Sequence, residues 1–238
     1  MSFKKIILFI LSVLLTTSLN ADSLGFKAMK IDTNKEVSDF KKNKEKFSYK
    51  ELISFLKNSN DKKKLMILGA LYASDSKEPD SYGEYIKADP ALAMKYLLKS
   101  YKLGESDALV VLSGLILYND KMSVLDRDLS KIKQYLKQAK KEHVKSASLL
   151  LGITELLRSE YEEGISELVF AANKLNDSSA QLELALIFQK GIYSQKEGRT
   201  VVETDRNLAE YYLNKACTNE EKSDKVNEFC NSSRVIIK

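Results

Sequence analysis

Along most of the chain beyond residue 47, apolar residues recur three and four positions apart, the spacing that gives a helix one oily face. Leu52, Ile53, Phe55 and Leu56 begin this pattern, directly after Ser48-x-x-Glu51, which reads as a capping box. The same spacing predicts helices over 62–73, 106–118, 128–142, 145–158, 161–175, 178–190, 205–217 and 224–235. A further helix is opened by Asp89 with Pro90 behind it, an N-cap followed by a residue whose fixed φ suits the first turn. Polar loops separate these stretches, the longest early one running from 74 to 88. With 2 prolines and 9 glycines there is little of the turn punctuation that an all-β fold needs, so the chain reads as all-α.

The helices repeat one another. Asp205 to Cys217 reads D-R-N-L-A-E-Y-Y-L-N-K-A-C, and Asp89–Ser100, Asp128–Ala139 and Tyr161–Ala172 can be laid over it. These four segments start about 40 residues apart, the period of helix-pair solenoids. Small residues keep step between consecutive helices: Ser100 with Ser113, Ala139 with Gly152, and Ala172 with Ala185, while Ala108, Ala147 and Ala180 follow at a second shared offset. Small side chains at set places let two helix backbones approach closely. The pattern predicts an α-solenoid of antiparallel helix pairs over 47–238, about four repeats long, with capping helices at both ends.

The first residues stand outside this array. Met1 to Lys5 is basic, Ile6 to Leu15 is an apolar run, and a short polar stretch ends in Ala21, the order of a secretory signal peptide over 1–21. The apolar run is too short to cross a bilayer, so the membrane is met only through this segment before cleavage. Residues 22–46 are dominated by charged and amide side chains and are expected to be a weak helix or disordered. Export of this kind predicts a periplasmic or secreted chain.

Charge and cysteine change the picture little. The formal net charge of +5 falls by two, to +3, when Lys4 and Lys5 leave with the signal peptide. That is too even a balance for a nucleic-acid footprint. Cys217 and Cys230 are an even pair in an exported chain, so a disulfide is expected, with free or intermolecular thiols as the alternative. A bridge closing so short a loop contributes roughly 3 kcal/mol in the chain-entropy account.

The motifs resemble Sel-one-like repeats, relatives of tetratricopeptide repeats. That pattern places a small-residue Leu-Gly and an aromatic in the first helix, a glycine-bearing loop, and Asp, Ala, Tyr and Lys-Ala in the second. Leu68-Gly69 with Tyr72, Ala147 with Leu151-Gly152, the loop glycines Gly191 and Gly198, and Asp205, Ala209, Tyr212, Lys215 and Ala216 fit it. Ser113 and Ala185 stand where glycine is usual, and Tyr161 where Asp is. Cys217 after Ala216 is also distantly similar to the Helicobacter cysteine-rich proteins, in which every repeat usually carries a closer pair. The resemblance implies a scaffold or adaptor that binds a protein partner, by analogy an accessory of an envelope or flagellar-motor assembly. The cysteine-rich relatives imply a rival, a peptidoglycan- or penicillin-binding, β-lactamase-like protein, and a secreted protein that meets host partners is a third reading, which the sequence does not separate from periplasmic residence.

Candidate chemistry is sparse. His143 is the single histidine and lies beside Lys140, Lys141 and Glu142 at a predicted helix end, where a cation suits the helix dipole. One histidine and two distant cysteines assemble no metal site, carboxylates lack paired spacing, and phosphate-cradling glycine loops are absent from the sequence, so neither cofactor, metal nor catalytic group is expected. Two surfaces remain. Met66, Val110, Leu149 and Leu182 form one equivalent column on the first helices, and Ala70, Gly114, Ile153 and Leu186 another. These columns either bury one another through superhelical curvature or line a concave groove for a partner, Met66, Val110, Leu149, Ile153, Leu182 and Leu186 being the groove residues. The second surface is a basic patch of Lys133, Lys137, Lys140 and Lys141, which suits an acidic partner, cell-wall glycan or anionic lipid, or is simply a solvated helix face.

Overall fold

The computed structural model describes residues 37–40, 42, 46–73, 76, 79–118 and 128–233. The expected signal peptide and the start of the polar segment lie outside the described residues. The chain divides into two compact units, one within Gly25–Arg127 and the other containing Asp128–Lys238.

The N-terminal unit contains α1 (Tyr49–Lys57), α2 (Lys62–Ala73), α3 (Pro90–Lys102) and α4 (Asp107–Tyr118). Each packs on the next, and α2 also meets α4. Phe47, Leu52, Leu56, Leu65, Ile67, Leu68 and Tyr96 form its core, with Val37 and Phe40 packed against the edge. Residues 37–40 are helical, so the apolar residues of the polar segment attach to the array. Asp89 caps α3, its Oδ1 accepting from the Leu92 amide at 2.9 Å. The predicted capping box is replaced by a longer-range device. Ser48 makes no side-chain cap; Asp80, in the loop before α3, accepts from the Tyr49 amide at 2.9 Å instead. Asp80 also accepts from Tyr82 and Glu84 amides. Desolvation opposes the charge on Asp80, but the three amide donors prevail and hold its carboxyl below the usual aspartate value.

The C-terminal unit runs α5 (Leu129–Lys141), α6 (Ala147–Leu157), α7 (Tyr161–Lys174), α8 (Ser178–Lys190), β1 (Ile192–Ser194), β2 (Arg199–Val202), α9 (Arg206–Thr218) and α10 (Asp224–Ser233). Successive helices pack together, and α10 also reaches α8. Short connections turn the chain back on itself, the condition for antiparallel neighbours. Both units are therefore built as the sequence predicts, from helices packed in chain order, and among the described residues the protein is all-α apart from one insertion. That insertion is an antiparallel hairpin, β1 with β2, in the loop that carries Gly191 and Gly198. Both glycines have positive φ, and a Cβ on Gly191 would lie 2.8 Å from the Val202 carbonyl, so the hairpin closes tightly at its base.

The third repeat starts one residue earlier than its sequence alignment. Glu160, not Tyr161, is the N-cap of α7, matching Asp89, Asp128 and Asp205 at the other second helices. The hydrogen bonds that close these helices agree: the amides of Glu105, Val144 and Asp177 donate to the carbonyls of Ser100, Ala139 and Ala171. Ala171 thus stands where Ser100 and Ala139 do, and the following loop is one residue longer. Asn176 takes up the extra residue with φ 52.

Candidate functional site

The corrected register exposes a change inside one helix pair. Tyr72 of α2 and Tyr96 of α3 stack with ring centroids 6.0 Å apart, and Phe188 of α8 and Tyr212 of α9 do the same at 6.0 Å. Counting three residues past Gly152 and seven past Glu160, the same two places in α6 and α7 hold Glu155 and Glu167. Two carboxylates occupy a slot that holds two stacked rings in the α2/α3 and α8/α9 pairs. The helices themselves meet closely there: a Cβ on Gly152 would lie 2.9 Å from the Gly164 carbonyl, and one on Gly164 would lie 2.9 Å from the Gly152 carbonyl.

Lysines from α5 neutralise the carboxylates. Lys133 Nζ lies 3.1 Å from Glu155 Oε1 and 2.5 Å from Glu160 Oε2, and Lys140 Nζ donates to Glu167 at 2.5 Å while lying over the Phe170 ring. Arg158 completes the group by donating to Glu160 and to Ser130 of α5. Glu155 is only 3% exposed, and its Oε2 has no hydrogen-bond partner. Burial pushes the Glu155 carboxyl above the ordinary glutamate value, against the pull of Lys133. Glu160 moves the other way, held low chiefly by its hydrogen bond from Lys133. Desolvation works against the Lys133 charge, but the two carboxylates win and raise its pKa.

This arrangement changes the reading of the basic patch. Lys133 and Lys140 are committed to acids of α6, α7 and the turn between them, so they do not form a free cationic surface with their neighbours. Lys137 and Lys141 remain exposed. The sequence could have signalled the network, since Glu155 follows Gly152 by the offset at which Tyr72 follows Gly69.

The apolar columns lie mostly in the interior. Met66, Val110, Leu149, Ile153 and Leu182 are each at most 6% exposed, and Leu186 is half-buried. Ala70 and Gly114 are buried beside them. Packing of first helices against second helices claims these side chains, so five of the six groove residues offer a partner almost no surface. Large apolar side chains that do face solvent in the C-terminal unit are Phe170, Tyr193, Leu208 and Tyr211. Lys215 of α9 donates to Asn173 of α7 at 2.8 Å, and Asn173 donates to the Tyr212 hydroxyl at 3.2 Å, joining the outer sides of these helices.

Cys217 and Cys230 form a disulfide that ties α9 to α10, with Cα atoms 5.6 Å apart. His143 is exposed, with φ 63, at the place after α5 that Gly104 fills with φ 90 after α3. Its backbone lets the Val144 amide reach the Ala139 carbonyl and close the helix end. Among the described residues, no group of three or more His, Cys, Asp or Glu side chains is placed to hold a metal ion, and no helix is long and apolar enough to cross a membrane.

Fold and packing define an all-α protein of serially packed helices in which one pair is fastened by charge. No protein-family model matches the chain, and no curated protein is similar to it in sequence. Among solved structures it is similar to the crystal structure of a Sel1 repeat protein from Oxalobacter formigenes, at 14% identity and a TM-score of 0.49, covering 77% of this chain and 78% of that one. The likeness is one of fold.

Proposed function

We propose that this protein is a non-enzymatic scaffold that binds another protein outside the cytoplasm, in the periplasm. The observation that carries this reading is the exposed apolar set on the C-terminal unit. Tyr193 is 62% exposed, Tyr211 54%, Phe170 40% and Leu208 38%, on elements whose interior is already filled. Phe170 on α7, Tyr211 on α9 and Tyr193 on the hairpin present rings to solvent, which suits docking of a partner, because such rings bury much area and lose little rotamer entropy.

Two features support the location. Met1 to Ala21 has the order of a secretory signal, and a disulfide persists in oxidising compartments. The one histidine sits at a helix end and both cysteines are joined to each other.

The test is crosslinking in intact cells, comparing the native chain with a Leu208→Lys, Tyr211→Lys double variant. Loss of one crosslinked protein, with the thermal midpoint unchanged, is the expected result. Equal recovery would remove this face as the docking site. Turnover of a chromogenic β-lactam or of muropeptides by the purified protein would overturn the scaffold reading altogether.

A further inference from the structure

We propose that the Cys217–Cys230 disulfide is a reducible latch, and that breaking it opens α10 about an anchored hinge while the helix pairs beneath stay folded. The argument starts from how unequally the last segment is held. Residues 219–223 are fastened by polar contacts that do not involve sulfur. Asn219, 6% exposed, donates from Nδ2 to the Asn176 carbonyl at 2.9 Å and to Gln181 Oε1 at 3.2 Å. Gln181, fully buried, in turn donates to the Ala172 carbonyl and to Asn176 Oδ1. The Ser223 amide donates to Ser178 Oγ at 3.3 Å. Asn176, Gln181 and Ser178 thus hold the linker at the start of α8.

The helix that follows is held differently. Among its described side chains, Val226 and Cys230 are buried, Phe229 is half-buried, and Asp224, Asn227, Glu228, Asn231 and Ser232 are exposed. Val226 and Cys230 pack with Leu182 and Ala216, and Phe229 lies against the same cluster together with Leu186 and Leu213. A helix of ten residues is marginal in water without tertiary contacts, so a covalent tie to α9 has a large share in keeping it closed. Cys217 is half-buried where Cys230 is buried, so of the two it is the less enclosed.

Opening requires two electrons and two protons, supplied by an external dithiol. One reagent thiolate attacks the sulfur of Cys217, the sulfur–sulfur bond breaks, and Cys230 leaves as a thiolate that takes up a proton. The second reagent thiol then resolves the mixed disulfide, releasing Cys217 as a thiol and the reagent as its own disulfide. With the tether gone, α10 swings from Ser223 and uncovers Leu182, Leu186, Leu213 and Ala216. In the oxidised protein the occupant of that face is α10 itself.

Hydrogen exchange on the full mature chain, with and without a small-molecule dithiol, tests the latch. Reduction is expected to speed exchange across 224–233 by about a hundredfold, the factor that closing so short a loop is worth, with 178–190 and 206–218 unchanged. The double variant Cys217→Ser, Cys230→Ser should show the same pattern and no response to the dithiol. Unchanged protection of 224–233 on reduction would overturn the proposal, and so would equal loss across 178–190 and 206–218, which would make the bond a support of the whole repeat. Asn219→Ala with the disulfide intact should leave 224–233 protected; loss there would show that the polar anchor, not the bond, closes the helix.

Discussion

The pair α2/α3 and the pair α6/α7 share one geometry and are fastened by opposite chemistry. In the first, a close approach at Gly69 is followed by two stacked tyrosines, and both rings belong to the pair itself. In the second, a close approach at Gly152 is followed by two glutamates whose lysine partners belong to α5. An aromatic stack completes a pair from within. A carboxylate slot is complete only when the preceding helix delivers its cations, so α6 and α7 depend on α5 as well as on each other. Charge here converts a contact inside one repeat into a contact between repeats.

The sharpest way to break this comparison is Lys133→Met. It strips the buried Glu155 of its cation and should cost about 3 kcal/mol in chemical denaturation at neutral pH, the low end for a broken buried pair because Lys133 is 17% exposed. The pH sign follows from burial. Glu155 already has a folded pKa above its unfolded value, and losing Lys133 raises it further, so the folded variant takes up a proton more readily than the unfolded chain. Stability of the variant should therefore rise as pH falls from 7 toward 5, and a profile parallel to the native one would refute the arrangement. Adding Glu155→Leu to Lys133→Met should recover stability to within about 1 kcal/mol of the native chain, since an apolar filling can replace a buried ion pair.

Next in size is Gly152→Ala, expected to cost about 2 kcal/mol because the new Cβ meets a backbone carbonyl that cannot turn aside. Gly69→Ala should cost about half as much, roughly 1 kcal/mol, since its nearest obstacle is the Leu97 side chain. Equal denaturation midpoints for the two variants would remove the distinction. On the aromatic side, Tyr212→Leu should cost about 1 kcal/mol through loss of the Phe188 stack and of the hydroxyl that accepts from Asn173. The smallest effect is a gain: His143→Gly should raise the thermal midpoint slightly, by about 0.5 kcal/mol of stability, because glycine takes positive φ without the Cβ penalty.

Helix positions were legible because their starting signals are local. Asp89, Asp128 and Asp205 each cap with their own side chain, accepting from the Leu92, Lys131 and Leu208 amides. Register failed at Glu160 for a physical reason. It makes no side-chain cap on α7 and turns to Lys133 and Arg158 instead, so the acid at the helix start carries no capping signature. The lysine run on α5 was visible, but Glu160 and Glu167 answer it from 27 positions further along, beyond any helical spacing. Ser48 likewise looked like a cap because nothing local reveals that Asp80 arrives to do the work. The residues of the apolar columns are mostly buried. Which side of a helix faces its partner and which faces water is decided by packing, and Leu149 at 2% exposure shows how completely packing decided it.

The hairpin between α8 and α9 has a practical value. Its base is anchored, since Ser194 is 1% exposed and accepts from the Gly198 amide, whereas Lys196 is exposed and a Cβ added at Gly198 would meet no atom within 4 Å. An affinity tag or fluorophore inserted at that tip would report on the molecule in living cells without touching the helices on either side.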